Sequence, residues 1–284
     1  MIKIYIENIS NTKIGGGFRF LENLNKGLKD KVTFVDDFKE CDIFFIFGIT
    51  AIDKGRVYEA HKLGKKIVLR ADNIPRCSRN KRMHPAERLT EFGAMASAVV
   101  YQSEWCKKYA GYFIKNDNEV IINNGVDTEI FNDKDRHSDG KTYLYINYND
   151  NPNKRFDEAL YWFDMEWRQD NSRKLLIAGN VPRIYREHPE YNWDIPSNAK
   201  VEYAGIMDTP EQVAELMRGC DFLLYPAFCD AAPNTLLEGM ACGLVPLYLN
   251  KEGGSVELMS NSITKIKSIQ DMSNEYLELF KSIL

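Results

Sequence analysis

The sequence predicts an α/β protein built from two doubly wound parallel sheets. Short apolar runs alternate with stretches of helical periodicity along the whole chain, which is typical of parallel strands joined by crossover helices. A polar stretch over 132–141 interrupts this alternation near the middle, and 284 residues are enough for two domains. We therefore predict two α/β domains that face each other across a cleft, with ligands bound at the carboxyl ends of the strands.

The first series of elements contains buried strands and amphipathic helices. The run that follows Asp42 is apolar as far as Phe47 and then ends in glycine, as expected of a strand buried on both faces. Three leucines after Phe18 recur at helical spacing and predict the first helix. The strand candidates are 2–6, 32–35, 42–48, 66–70, 98–101 and 119–123, and the helix candidates are 18–28, 53–63, 86–96 and 103–110.

The second series follows the polar stretch and repeats the same alternation. A segment rich in proline, asparagine and charge, 181–199, is interpreted as a loop insertion. Tyr276, Leu277, Phe280 and Leu284 are expected on the buried face of a final helix. The strand candidates are 143–148, 174–179, 200–203, 221–225 and 245–249, and the helix candidates are 155–168, 210–219, 234–242 and 273–284.

Composition narrows the class of protein. The chain is 44% hydrophobic and 27% charged, as in soluble globular proteins, and no run of about 18 apolar residues predicts a membrane span. The six cysteines lack a CxxC spacing and are interpreted as reduced thiols of a cytoplasmic protein. The four histidines are scattered, so the sequence indicates no metal cluster.

Charge is distributed unevenly along the chain. The net charge is −4, made up of +3 over residues 1–140 (23 basic minus 20 acidic) and −7 over 141–284 (14 minus 21). Eleven basic and three acidic residues lie between Lys54 and Arg88. This local surplus predicts an anionic partner near the first half, and a solvated helix face is the alternative.

A glycine loop, Gly15, Gly16 and Gly17, follows the first strand and opens the first helix. Glycines allow backbone amides to approach a phosphate closely, and the helix N-terminus adds positive potential there. The spacing is not GxGxxG, so a dinucleotide site is a weak interpretation. An anion-binding loop and a plain tight turn both remain open.

Two acids are separated by seven residues: Asp230 precedes a turn, and Glu238 lies at the start of a helix of small residues that ends at Gly243. Asn-Gly-Val-Asp-Thr-Glu-Ile-Phe131, a lysine at 154, Leu-Leu-Ile-Ala-Gly179 and Val-Glu-Tyr-Ala-Gly205 precede them in that order. The ordered set resembles the retaining family-4 glycosyltransferases, which have the GT-B fold of two Rossmann-like domains. The resemblance implies an acceptor-side domain over 1–135, a nucleotide-sugar domain over 136–265, and a last helix, 266–284, that packs across the domains.

The resemblance also implies a donor site. Glu238 would accept hydrogen bonds from the ribose hydroxyls, and Asp230 would lie beside the donor sugar. Lys154 would neutralise the diphosphate leaving group, with the helix start and the glycine loop near the phosphates and 205–206 near the base. The implied catalytic residues are Asp72, Lys154 and Asp230, and the implied donor-binding residues are Gly15, Gly16, Gly17, Arg155, Gly205, Ile206, Ala231, Ala232, Pro233, Asn234, Thr235 and Glu238.

Three positions depart from the family pattern. Asp230 is one methylene shorter than the usual glutamate, and Tyr148 stands where the family has a phosphate-binding arginine, for which Arg155 would compensate. An Arg70-x-Asp72 sequence replaces the usual histidine after the fourth strand. Asp72 would orient the reacting hydroxyl or the donor sugar, and a helix cap or a salt bridge with Arg70 is the alternative.

Cations after the fourth strand predict how the acceptor binds. Arg76, Arg79 and Arg82, with Lys81 between them, suit a phosphate- or carboxylate-bearing acceptor such as a lipid-linked glycan or an acidic polysaccharide. A lipid-borne acceptor would bring this cytoplasmic protein to the inner face of the membrane. No cofactor and no metal are expected, because lysine and backbone dipoles take the role of a cation.

Two rival functions stay open. The departures at 148 and 230 fit a degenerate subunit that binds a sugar nucleotide without turnover. A nucleic-acid-modifying glycosyltransferase would use the basic residues near 76–82, but the net charge of −4 argues against strong binding to a phosphate backbone.

Overall fold

The computed structural model describes residues 1–7, 16–72, 74–78, 81–147, 152–181, 200–247, 253–260 and 266–284. Its contacts divide the chain into two compact units. The first unit comprises Met1–Gly125, Cys229–Ala232 and Gly253–Leu284, and the second comprises Val126–Phe228 and Pro233–Glu252. The predicted domain boundary was at residue 135, whereas the units divide after Gly125.

The first unit contains a six-stranded parallel sheet in the order β2-β1-β3-β4-β5-β6. Side chains of successive residues in a strand point to opposite faces of the sheet, and helices pack on both faces. The strands are β1 Ile2–Ile6, β2 Val32–Phe34, β3 Ile43–Ile46, β4 Lys66–Ala71, β5 Ala98–Tyr101 and β6 Glu119–Ile121. The helices before the crossing to the second unit are α1 Gly16–Leu28, α2 Lys54–Lys62, α3 Pro85–Met95 and α4 Glu104–Ala110.

The sheet of the first unit separates two apolar clusters. On one face, Phe44 and Leu69 pack with residues of α2, α3 and α4. On the other face, Phe45 and Val68 pack with α1 and with the last helix of the chain, and all four of these strand residues are fully buried. Burial on both faces explains why β3 is apolar at every position and β4 is apolar over 67–69.

The last helix of the chain, α9 (Ile269–Ile283), belongs to the first unit and packs on α1. It begins four residues earlier than predicted because the Ser268 side chain accepts a hydrogen bond from the Asp271 backbone N–H at 3.0 Å. Tyr276 and Phe280 are fully buried, as expected. Leu284 was expected to be buried but is 57% exposed, since it lies beyond the end of the helix.

The second unit contains a five-stranded parallel sheet in the order β11-β10-β7-β8-β9. A Cβ at Gly239 would lie 2.8 Å from Leu223 Cδ2, so glycine lets a helix pack closely on this sheet. The strands are β7 Thr142–Asn147, β8 Lys174–Gly179, β9 Lys200–Gly205, β10 Phe222–Leu224 and β11 Val245–Leu247, and the helices are α5 Phe156–Gln169, α6 Pro210–Arg218 and α7 Asn234–Ala241. The predicted loop insertion, 181–199, lies outside the described residues except for Val181.

Two parallel α/β sheets confirm the predicted fold class. One further helix, α8 (Gly254–Ser260), belongs to the C-terminal segment of the first unit. Among the described residues, no helix is long and apolar enough to cross a membrane.

The cysteine prediction was wrong for one pair. A disulfide joins Cys77 to Cys229, with 6.2 Å between the Cα atoms, and both residues belong to the first unit. Sequence spacing does not reveal the pair because 152 positions separate the two cysteines. Cys41, Cys106, Cys220 and Cys242 are buried thiols, as expected.

Candidate functional site

Polar residues from three neighbouring strands meet at the carboxyl edge of the first sheet. Asp72 follows β4, Gln102 and Ser103 follow β5, and Asn124 follows β6 by three positions. Gln102, Ser103 and Asn124 are at most 4% exposed. The carboxyl edge of an open parallel sheet is where ligands bind in this class of fold.

Arg70 lies beneath this edge as a buried cation, 2% exposed. Its guanidinium donates to the Phe47 carbonyl at 3.1 Å, to Gln102 Oε1 at 2.5 Å and to Asn124 Oδ1 at 3.4 Å. The guanidinium carbon also lies 3.9 Å from the centre of the Phe20 ring. These contacts compensate the buried charge and hold the two amide side chains in fixed orientations.

Asp72 stands at the end of β4. Burial raises its pKa above the ordinary value, and the positive charge of Arg70 partly opposes that shift. The backbone N–H of Ile49 donates to the carboxylate. One oxygen of the carboxylate, Oδ1, is buried and has no hydrogen-bond partner among the described residues. A ligand hydroxyl is the kind of group that would satisfy it.

The start of the two-acid motif, 230–232, belongs to the first unit together with the preceding Cys229. Ser103 Oγ donates to the Ala231 carbonyl at 2.7 Å, and Asn124 Nδ2 donates to the Ala232 carbonyl at 3.0 Å. The Gly254 N–H donates to the Asp230 carbonyl at 2.8 Å. The disulfide with Cys77 holds Cys229. Each residue from 229 to 232 is thus bound to another part of the first unit.

The second part of the motif belongs to the second unit and forms α7. Pro233 is the N-cap residue of α7, and no side chain caps the N-terminus of the helix. Asn234 and Thr235 lie in the first turn, whose backbone N–H groups attract anions. Glu238 is only 4% exposed, one turn further along the helix.

Lys154 ends a short 3₁₀ helix, Pro152–Lys154, of the second unit. Its Nζ donates to the Tyr225 hydroxyl at 3.1 Å and lies 5.4 Å from the centre of that ring. The next residue, Arg155, has a φ of 51° and forms an ion pair with Glu158. The Phe228 N–H donates to the Asn153 carbonyl at 2.7 Å, which joins the lysine loop to the chain before the two-acid motif.

Gly205 and Ile206 follow β9. Gly205 has a φ of 89°, and Ile206 is 47% exposed, which is high for an isoleucine. Ile206 lines a groove of about 620 Å³ in the second unit together with Lys174, Leu216 and other residues of α6. Lys154 and Glu238 do not line that groove.

Some predicted residues lie outside the described part of the chain, namely Gly15, Arg79 and Tyr148. Gly16 and Gly17 begin α1, and a Cβ added at Gly16 would meet nothing within 4 Å.

The cations that were predicted to bind the acceptor include Arg76 and Arg82, which lie in short 3₁₀ helices after β4, Pro75–Cys77 and Lys81–Met83. Arg76 and Arg82 are both exposed. The Arg76 guanidinium lies 5.0 Å from the centre of the Tyr109 ring, and the Trp105 and Tyr109 rings are 4.8 Å apart. A cation beside two aromatic rings can hold a sugar ring that carries a negative charge.

The described structure thus gathers Asp72, Arg76 and residues 230–232 in the first unit, and Lys154 and residues 233–238 in the second. Sequence reasoning missed Gln102, Ser103, Asn124 and Tyr225. The available signal was a polar residue directly after a buried strand, as at Gln102 and Tyr225.

A family model for glycosyl transferases group 1 matches residues 126–283, which is more than half of the chain. No curated protein matches the sequence.

Solved structures resemble the whole chain at low identity. Anabaena HepE, in complex with UDP and glucose, has a TM-score of 0.70 and 14% identity over 99% of this chain and 90% of its own. AviGT4, a glycosyltransferase of avilamycin A biosynthesis, has a TM-score of 0.64 and 12% identity over 100% and 98%. Sucrose-phosphate synthase from Thermosynechococcus elongatus has a TM-score of 0.61 and 13% identity over 99% and 96%. These similarities confirm the GT-B fold.

Proposed function

Because the chain belongs to the glycosyl transferases group 1 family, we propose that it transfers a sugar from a nucleoside-diphosphate donor to a hydroxyl of a glycan or lipid-linked glycan. The anomeric configuration of the sugar is retained, as the resemblance to the retaining enzymes implies. The observation that carries the proposal is α7, where an uncapped helix N-terminus and the buried Glu238 share two turns.

The donor half of the proposal follows from charge. The N–H groups at the start of α7 stabilise a phosphate, since the helix dipole is positive there. Glu238 is buried, and a carboxylate can accept hydrogen bonds from two ribose hydroxyls at once. Asn234 and Thr235 add polar contacts in the same turn. We place the diphosphate at this helix start and the ribose against Glu238.

Lys154 stabilises the departing diphosphate. When the glycosidic bond breaks, negative charge accumulates on the leaving oxygen, and a cation held in place lowers that barrier. The hydrogen bond and ring contact with Tyr225 restrict the orientation of the ammonium group. With lysine and helix dipole in this role, transfer proceeds without a metal ion.

Asp72 orients the reacting hydroxyl. Its buried Oδ1 lacks a partner among the described residues and its pKa is raised by burial, so it takes a hydroxyl hydrogen bond readily. Asp230, shorter than the family's glutamate, faces the donor sugar and influences which sugar is accepted.

The acceptor carries a negative charge. Arg76 and Arg82 are exposed in the segment that follows Asp72, and Arg76 lies over Tyr109. Phosphate or carboxylate groups on a glycan match this combination of guanidinium and aromatic ring. This proposal covers lipid diphosphate glycans and acidic polysaccharides alike; cytoplasmic localisation and contact with a membrane remain predictions.

The decisive experiment tests the donor. The melting temperature is measured with UDP, GDP, UDP-glucose and GDP-mannose, because a ligand that binds only the folded state raises it. UDP is the first choice, since the structurally similar HepE was solved with UDP and glucose. Glu238→Ala should abolish the shift, with Glu202→Ala as a control at a carboxylate in β9. If no nucleotide stabilises the parent protein, the proposal is wrong.

A second experiment tests turnover and stereochemistry. Slow hydrolysis of the bound sugar nucleotide by water should release the α-sugar first, observed by ¹H NMR before mutarotation. EDTA should not change the rate. Nucleotide binding without release of nucleoside diphosphate, with any tested acceptor, would instead favour the degenerate subunit.

A further inference from the structure

Four consecutive residues, Cys229 and the first three of the two-acid motif, are bound to the rest of the first unit through a side chain or a carbonyl group. Gly254 binds the Asp230 carbonyl, Ser103 the Ala231 carbonyl and Asn124 the Ala232 carbonyl, at 2.8, 2.7 and 3.0 Å. The preceding Cys229 is fastened by its disulfide. The three consecutive carbonyl groups of 230–232 therefore each accept a hydrogen bond from the first unit.

Peptide geometry converts these contacts into an orientation. A trans peptide is planar, so its N–H points away from its C=O, and the described residues contain no cis peptide. The contact from Gly254 to the Asp230 carbonyl turns the Ala231 N–H away from Gly254. The contact from Ser103 to the Ala231 carbonyl likewise turns the Ala232 N–H away from Ser103. Pro233 has no N–H, so the series of donors ends there.

Ser103 and Asn124, which bind these carbonyl groups, are fixed by further hydrogen bonds. Ser103 Oγ also accepts the Cys106 N–H at 3.0 Å, and Asn124 Nδ2 also reaches Gln102 Oε1 at 3.3 Å. Gln102 Oε1 is fixed by Arg70 at 2.5 Å. All of these side chains are buried, where a satisfied polar network is rigid.

We infer that Ser103 and Asn124 are positioning residues for residues 231–232. Ser103 aims the Ala232 N–H at the hydroxyls of the donor sugar, beside the Ala231 N–H that Gly254 aims there, and Asn124 fixes the Ala232 carbonyl at the end of the segment. Arg70 acts one step behind them through Gln102 and Asn124. This role rests on the proposed function, and it concerns the sugar rather than the nucleotide. A nucleoside diphosphate without sugar does not use these two donors.

Gly254 completes the arrangement. A Cβ at this position would lie 1.8 Å from the Ala231 carbonyl oxygen, so only glycine allows α8 to approach the segment this closely. The same glycine supplies the N–H that binds Asp230.

The test separates sugar positioning from folding and from nucleotide binding. Ser103→Ala and Asn124→Asp remove the donated hydrogen bonds, and Ser103→Thr restores one. Asn124→Asp keeps an oxygen beside Arg70 and replaces the donor group. Thr90→Val is the control, since Thr90 Oγ1 donates to the Phe113 carbonyl at 2.8 Å elsewhere in the first unit.

Dissociation constants are measured for UDP, UDP-glucose, GDP and GDP-mannose, with kcat for whichever sugar nucleotide the parent protein hydrolyses. We expect kcat to fall by about 10- to 100-fold in Ser103→Ala and Asn124→Asp, because misplacement of about 1 Å has effects of that size. The affinity for the free nucleoside diphosphate should not change, and Ser103→Thr should recover most of kcat.

Parental kcat in both variants would overturn the inference, as would an equal loss of affinity for nucleoside diphosphate and sugar nucleotide. If the parent protein binds none of the four compounds, the proposed function fails first and this inference with it. Binding by the parent with unaffected variants overturns the inference alone.

Discussion

The two parts of the Asp230–Glu238 motif differ in what holds them. Residues 229–232 have no helix or strand structure, and contacts from the first unit fix each one. Residues 234–241 form α7, which packs by its own small residues on the sheet of the second unit. A motif that is continuous in sequence is thus supported by two separate cores.

This difference suggests a division of tasks. The helical part is suited to hold a nucleotide, because a helix start and a buried carboxylate are rigid and need little outside support. The irregular part presents backbone donors, which have no intrinsic orientation and depend on what binds their carbonyls. We expect variants of the second unit to affect the nucleotide and leaving group, and variants around 229–232 to affect the sugar.

The largest effect is expected for Lys154→Ala in the second unit. Loss of a cation at the leaving oxygen should lower kcat by about 10²- to 10³-fold, measured as release of nucleoside diphosphate. Tyr225→Phe is the matched control, since it removes only the hydroxyl that Lys154 contacts. An equal loss in Tyr225→Phe would mean that the lysine acts mainly through the tyrosine.

Next comes the disulfide that holds the start of the irregular part. Cys77→Ser should lower the free energy of unfolding of the oxidised protein by about 2–4 kcal/mol, because the bond closes a long loop. Urea denaturation with and without dithiothreitol measures this. Under reducing conditions the variant and the parent should coincide.

Thiol titration in denaturant checks the bond itself. The unreduced protein should show four reactive thiols, those of Cys41, Cys106, Cys220 and Cys242. A titre of six would contradict the Cys77–Cys229 pairing.

A smaller effect is expected for Gly254→Ala. The added methyl group must displace the Ala231 carbonyl, which should cost about 1–3 kcal/mol of unfolding free energy and lower kcat without weakening UDP binding. Gly16→Ala is the stability control, because a Cβ there meets nothing within 4 Å. Equal destabilisation in both variants would argue against the close approach at Gly254.

The smallest effect is a change in the pH dependence of stability at Asp72. Burial raises its folded pKa, so the folded state binds the proton more tightly than the unfolded state, and stability is lost as pH rises from about 3.9 through the folded pKa. The difference in melting temperature between Asp72→Asn and the parent should therefore shift in favour of the variant as pH rises over that range.

Asp139 in the second unit should show the opposite pH dependence of stability. Its hydrogen bond with Lys174 lowers its pKa to about 2, so the stability it contributes is present above about pH 3.9 and is lost as pH falls towards 2. Asp139→Asn should thus approach the parent at low pH. A parallel trend in the two variants would refute the assignment at Asp72.

Hydrophobic periodicity and short sequence motifs were enough to predict the fold class and most strands and helices of this protein. The continuous apolar runs after Asp42 and before Arg70 predicted β3 and β4, because strands buried on both faces need apolar side chains at every position. The order of motifs from Asn123 to Glu238 predicted the GT-B fold before any coordinates. Boundaries were less accurate, as at α9, where one serine cap moved the start by a turn.

Only the tertiary structure decided which residues hold the irregular part of the motif. Ser103, Asn124 and Gly254 lie 128, 108 and 23 positions from their partners Ala231, Ala232 and Ala231, and the cysteine pair is separated by 152. Such contacts join loops at the carboxyl edge of a sheet, and a loop has no periodicity from which its partner can be read. Local pattern determines strands and helices because their hydrogen bonds and buried faces repeat, whereas the orientation of a single peptide depends on the neighbours that folding brings to it.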